Sequence, residues 1–204
     1  MINRAGVYLN FIRSRRSIRY FSPEAVSQDV LERILETAAC APSAHNRQPW
    51  RFVIVHSNEA KIKLADGMGA AFRLDLLADG LSETQADAQV QRSCNRILEA
   101  PVVAILCLDR TDMDVYPDTK RRTAEYMMAV QSVALAGGTF LLAAHAEGLG
   151  GVWVCAPLFA PEAVQHALET PPDWEPQGML LIGYPAKIPE VRPRKPVSEM
   201  SRFI

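Results

Sequence analysis

The chain has 204 residues, 49% apolar and 22% charged, enough length and apolar content for one domain to bury a core without covalent staples. Twenty-two Lys+Arg oppose 23 Asp+Glu, and so close a balance removes the electrostatic case for nucleic acid or an anionic membrane as partner. No uninterrupted apolar run reaches the roughly 18 residues of a bilayer span, the N-terminus lacks a signal-peptide pattern, and the four scattered cysteines form no C-x-x-C pair, so a cytoplasmic protein with reduced, core-buried thiols is expected.

In chain order, Val7, Tyr8, Phe11 and Ile12 make one helical stripe over 7–16. Val30, Leu31, Ile34, Leu35 and Ala38 mark a cleaner helix over 28–39, with Ser27 placed to cap it and Pro42 to stop the chain beyond it. Arg51–Val55 reads as a strand, and a helical pattern begins at Ala60. Gly67, Gly69 and Gly80 then predict a broken helix or mobile connection over 66–82. A helix follows over 84–99, then Pro101–Leu108, apolar on both faces and therefore a central strand. Residues 121–147 carry the longest helical pattern. Gly151–Cys155 and Gly178–Tyr184 read as strands around a short helix at 161–168, and the tail from Pro185 is proline-rich and basic. No repeat or linker divides the chain. A single domain over 1–204 of α+β or mixed α/β type is expected.

Several chemistries are absent from the pattern. His45, His56, His145 and His166 show no metal-ligand spacing, so no metal site is expected, and His145 reads as a core or interface histidine. Neither a Walker loop, nor G-x-S-x-G, nor G-x-G-x-x-G after a strand occurs. Three features remain. Arg15-Arg16-Ser17-Ile18-Arg19 could turn two guanidinium forks and a hydroxyl toward a phosphate, or simply end a helix in solvent. Pro42–Trp50 is a loop of short hydrogen-bonding side chains ahead of a strand, able to present them to a planar ligand or merely to turn the chain. Arg192–Pro196 is a stiff basic stretch.

Together these features resemble the nitroreductase family of flavin enzymes: RRSIR at 15–19, PSAHNRQPW at 42–50 and RPRKP at 192–196 match its motifs, and LLAAHAEGLGGVWV at 141–154 and LLIGYP at 180–185 are similar in kind and order. RLDLLADG at 73–80, Tyr116-Pro117-Asp118 and Asp173–Pro176 look, more narrowly, like the reductase domain of the deazaflavin-coenzyme γ-glutamyl ligase, although this chain has no ligase half.

The resemblance implies a three-layer α+β fold, a central mixed or antiparallel sheet flanked by helices, and a homodimer holding FMN in a cleft between subunits. Carried over residue by residue, Arg15, Arg16, Ser17 and Arg19 would contact the phosphate and ribityl chain, with Arg194 closing the clamp from a tail that crosses onto the partner. Ser43 and Asn46 would line the flavin or substrate cleft, Asp75 would face the cofactor, and Val154 and Cys155 would lie beside the reactive edge of the ring. The implied reaction is ping-pong hydride transfer from NAD(P)H or a reduced deazaflavin through flavin N5 to a small aromatic or quinone-like acceptor. No side chain need act as nucleophile or base, so no catalytic residue is assigned. Two alternatives stay open: reduction of an unsaturated deazaflavin-coenzyme precursor, and a flavin-binding module without turnover.

Overall fold

The structure is a computed structural model and describes residues 4–204. Four apolar segments, β1 (Trp50–Val55), β2 (Val102–Asp109), β3 (Gly150–Val154) and β4 (Trp174–Gly183), pair into one antiparallel sheet in the order β1-β2-β4-β3. β2 is buried from Val102 to Leu108, as a strand apolar on both faces must be. Its side chains alternate between two cores. Val102, Ala104, Leu106 and Leu108 join the cluster under α2 (Gln28–Ala38) and α5 (Thr119–Ala146). Val103, Ile105 and Cys107 join the one under α3 (Asn58–Ala78), α4 (Glu83–Glu99) and α6 (Pro161–Leu168). The result is the three-layer α+β fold, with an antiparallel rather than a mixed sheet.

Several local expectations are corrected. The glycines at 67 and 69 do not break α3, which runs 21 residues without interruption. A Cβ at Gly69 would press on Cys94 and Val90 of α4, so this glycine permits close helix packing. Gly80, with φ +87°, makes the turn into α4. Ser27 occupies the N-cap of α2 without a side-chain cap bond. β4 starts four residues early and carries Pro176, tolerated because the register with β2 shifts between Leu106 and Cys107. Among the thiols only Cys107 lies in the core, where burial pushes it up to about 12; Cys40 and Cys155 are exposed.

α5 is also long and apolar enough, by length and composition, to cross a membrane. Counting uninterrupted runs missed this because isolated polar residues such as Gln131, Ser132 and Thr139 break the run while leaving mean hydropathy high. Here the helix packs on the sheet through Ala129, Val133, Ala136 and Phe140. A Cβ at Gly137 would overlap Trp153 and Leu106, so this glycine sets how closely α5 approaches the strands.

The first helix, α1 (Arg4–Ser14), stops before the arginine motif. Residues 15–19 are therefore extended, and Ser17 forms a parallel bridge to Gly151 on the outer edge of β3. Ile18 is buried beneath it. A Cβ at Gly150 would strike Ile18, so that glycine is what lets the segment lie against the sheet. Beyond β4 the tail is extended to a one-turn helix, α7 (Val197–Met200).

Candidate functional site

The extended 15–19 segment places Arg15, Ser17 and Arg19 at alternate positions, which share one side of a strand-like backbone. They line a cavity of about 690 Å³ with Arg13, Arg16, Arg192 and Arg194, six arginines against a single acid, Glu190. None of the six forms an ion pair among the described residues; the arginines that do, such as Arg33 with Glu147, lie elsewhere. The cluster turns inward on backbone oxygens instead: Arg15 Nη1 donates to the Arg16 carbonyl at 3.1 Å, and Arg16 Nη1 to those of Arg13 and Arg15 at 2.6 and 2.9 Å. Partial burial, then the charges of Arg194 and Arg16, depress the Arg15 pKa. Like charges gathered without a counter-ion are costly unless an anion joins them. A phosphate monoester, carrying roughly −1.5 to −2 charges with three strong acceptor oxygens, fits this donor set.

The tail folds back on its own chain to deliver Arg192 and Arg194.

A second cavity, of about 590 Å³, lies at the Val154 end of β3, the end away from the Gly151 bridge to Ser17. Val154 and Asp75 line it, so two of the residues marked in the sequence do meet here. Cys155 opens the 3-10 turn Ala156–Phe159 beside it and is exposed. Met68, Phe72 and Leu76 form apolar wall, while Asp75 on α3, Asp79 at its C-cap, and Arg92 and Arg96 on α4 supply charge without any ion pair among the described residues. Sequence reasoning missed Arg92, Ser93 and Arg96. Their signal was the i,i+4 spacing of two arginines facing an i,i+4 pair of aspartates on the preceding helix.

Ser43 and Asn46 sit elsewhere. Their loop docks on the middle of α5, where the Ala44 N–H donates to Ser132 Oγ at 3.3 Å, and leads into β1 at the opposite edge of the sheet. Three strand spacings, roughly 14 Å, separate that edge from β3, and the loop is at the other end of the strands from the arginines. One chain therefore does not bring Ser43 and Asn46 to the arginine cluster. The loop is nonetheless built with strain: His45, Asn46 and Gln48 have φ of 51°, 54° and 51°, which non-glycine residues adopt at a cost. Ser43 Oγ accepts from the Gln48 N–H at 3.1 Å and holds that shape.

Residues 12–184 match the Nitroreductase family. This chain belongs to that family. Among its relatives, the 5,6-dimethylbenzimidazole synthase of Rhodospirillum rubrum is 32% identical over 197 residues, 93% of this chain and 84% of that one. A nitroreductase-like protein of Desulfovibrio desulfuricans, solved in complex with FMN, is 28% identical with a TM-score of 0.71, covering 95% of this chain and 94% of that one. A BluB-like flavoprotein of Clostridium difficile superposes with a TM-score of 0.80 at 24% identity over 97% and 98% of the two chains, a likeness of fold. The nitroreductase fold, expected from five motifs in register, is thus the fold observed.

Proposed function

We propose that this chain is a single-domain FMN-dependent oxidoreductase acting as a homodimer. The observation that carries the reading is the six-arginine cavity without a counter-ion at one end of β3, paired with a ring-sized cavity at the other. Arg15, Arg19 and Arg194 bind the phosphate, with the Ser17 hydroxyl between them. Arg16, committed to backbone carbonyls, holds the turn that presents them. The ribityl chain would run along β3, bringing the ring to Val154, Cys155 and Asp75. Bound FMN supplies hydride chemistry, accepting from NAD(P)H and passing on to an organic acceptor. Arg92 and Arg96 set hydrogen-bond donors beside that cavity, opposite the carboxylates of Asp75 and Asp79. Ser43 and Asn46 reach the site from a second copy of the chain, and the exposed apolar residues Met127 and Leu135 on α5 lie at the contact between copies.

The test is direct. Purified protein should be yellow, and NADH or NADPH should bleach it under anaerobic conditions, with colour restored by a nitroaromatic or quinone. Colourless protein that takes up no added FMN overturns the reading; yellow protein that no donor reduces leaves a flavin-binding module without turnover. A second reading rests on the 32% identity to a 5,6-dimethylbenzimidazole synthase. It requires that compound among the products of turnover. The narrower likeness to the deazaflavin-ligase reductase domain draws no support from the relatives above; a reduced deazaflavin donor and an unsaturated deazaflavin-coenzyme precursor belong in the same assay.

A further inference from the structure

Behind the arginine cavity lies a smaller one of about 170 Å³, lined by Ser14, Arg15, Arg16, Ile18 and His145, so Arg15 and Arg16 form a wall of both. His145 stands in the last turn of α5. Its ring stacks on Phe11 with centroids 4.9 Å apart and planes 24° from parallel. Its Nε2 lies 2.8 Å from Ser14 Oγ, and the Ser14 hydroxyl gives its own proton to the Phe11 carbonyl at 2.7 Å. A serine hydroxyl has one proton to donate. With that proton committed to Phe11, the Ser14 oxygen can accept from the imidazole in the tautomer that carries its hydrogen on Nε2. These contacts tie the end of α1 to α5 at the residue before Arg15, although Val7, Tyr8, Leu9 and Ile12 of the same helix are exposed.

We propose that His145 is the positioning residue of the phosphate site: it holds the Ser14–Arg16 turn in place and takes up a proton when a phosphate dianion binds the arginines in front of it. The inference rests on the FMN reading above for the identity of the anion. Without the anion, burial first, then the charge of Arg15 and more weakly that of Arg16, outweigh the Phe11 carbonyl, which favours protonation, and hold the imidazole below its ordinary range. No acid opposes them at the ring. Glu147, two residues along α5, is engaged by Arg33 of α2 at 2.7 Å, and Leu141, Leu149 to Gly151, Pro185 and Ile188 close the cavity without an ionisable side chain. A dianion held by Arg15, Arg19 and Arg194 would offset the positive field that opposes protonation, so anion binding and proton binding must reinforce one another.

The experiment is an NMR titration of the His145 imidazole in the full-length protein, assigned with His145→Gln, first alone, then with inorganic phosphate, then with FMN. The expected result is titration at a higher pH with either anion bound. A titration point that FMN leaves unmoved overturns the proton uptake. In parallel, FMN affinity is measured between about pH 5.5 and 8 for the parent, His145→Gln and His145→Ala. Ala should bind roughly three- to tenfold more weakly at high pH, the worth of one net hydrogen bond, and fall further behind on acidification. Gln, which keeps a neutral donor, should match the parent at high pH and fall behind it on acidification. FMN's own second phosphate ionisation, near pH ~6, is common to all three and cancels in the comparison. If Arg15→Ala and Arg194→Ala leave FMN affinity intact, the phosphate assignment fails and this inference with it. If those two weaken FMN while both His145 variants follow the parent at every pH, the FMN reading stands and the role given to His145 is wrong.

Discussion

Arg19 is exposed, and its one short-range contact is a 3.5 Å reach to the Ser17 carbonyl, so it contributes little to the fold and is free for a ligand. Arg19→Ala should weaken FMN binding about tenfold or more, the loss of one charge-assisted hydrogen bond of roughly 1.5–3 kcal/mol, with the melting temperature of the apoprotein unchanged. Flavin fluorescence titration measures it, and parental affinity in the variant would move the phosphate elsewhere. Lys61 is the opposite kind of residue. It is buried, and its ammonium donates to the Ala100 carbonyl at 3.0 Å and the Leu98 carbonyl at 3.5 Å, at the C-terminus of α4. Burial pushes its pKa down, and the ammonium serves carbonyls at the end of α4, where the helix itself supplies no donors. Lys61→Met should cost about 1–3 kcal/mol in a urea titration with little effect on flavin affinity beyond that of the lost stability.

At the scale of elements, α5 is the spine. It presses Ala129, Val133 and Phe140 on the sheet, receives the Ser43 loop at Ser132, and ends at His145 behind the arginines. Gly137→Ala would drive a methyl group into Trp153 and Leu106. We expect a loss of about 1–3 kcal/mol from overpacking, and a change in flavin absorbance, because Trp153 precedes the Val154–Cys155 edge of the ring cavity. The tail is the second element to test. Deleting everything after Tyr184 removes Arg192 and Arg194 from the arginine-lined cavity and should release FMN, seen as loss of yellow colour on gel filtration. Since these arginines reach their own chain's cluster, flavin loss need not await dissociation. Sedimentation of the truncated protein reports separately on whether the tail also joins two copies, and a truncated protein that stays fully yellow would dismiss the clamp.

For the whole molecule, the decisive fact is that the arginines lie at the β3 edge and the Ser43–Asn46 loop toward the β1 edge of one sheet. If both contact one flavin, two copies must share it. Mixing Arg19→Ala and Asn46→Ala homodimers, each weak in FMN, should then restore tight binding at one of two sites in the heterodimer, because that site draws both intact groups from different chains. Flavin content after subunit exchange is the readout. No recovery in exchanged heterodimers would mean that each site is built within a single chain.

Periodicity alone was enough to locate the helices at 28–39, 84–99 and 161–168 and to identify β2 as central, since burial on both faces leaves an unbroken apolar run. The order of motifs was likewise enough for the family, and RRSIR pointed to anion binding because guanidinium groups and a hydroxyl have that chemistry wherever the backbone puts them. Other features had no local signature. Gly67 and Gly69 looked like breaks in α3 until α4 and α6 were packed against it, because a glycine that ends a helix and one that admits a neighbour are the same letter. Arg92 and Arg96 became candidates only when the α3–α4 pair faced them with Val154 across a cavity. The extended course of 15–19 depends on Gly150 leaving room for Ile18, a contact across more than 130 residues. Separation of the site into distant corners is likewise a property of strand order, which no stretch of sequence carries by itself.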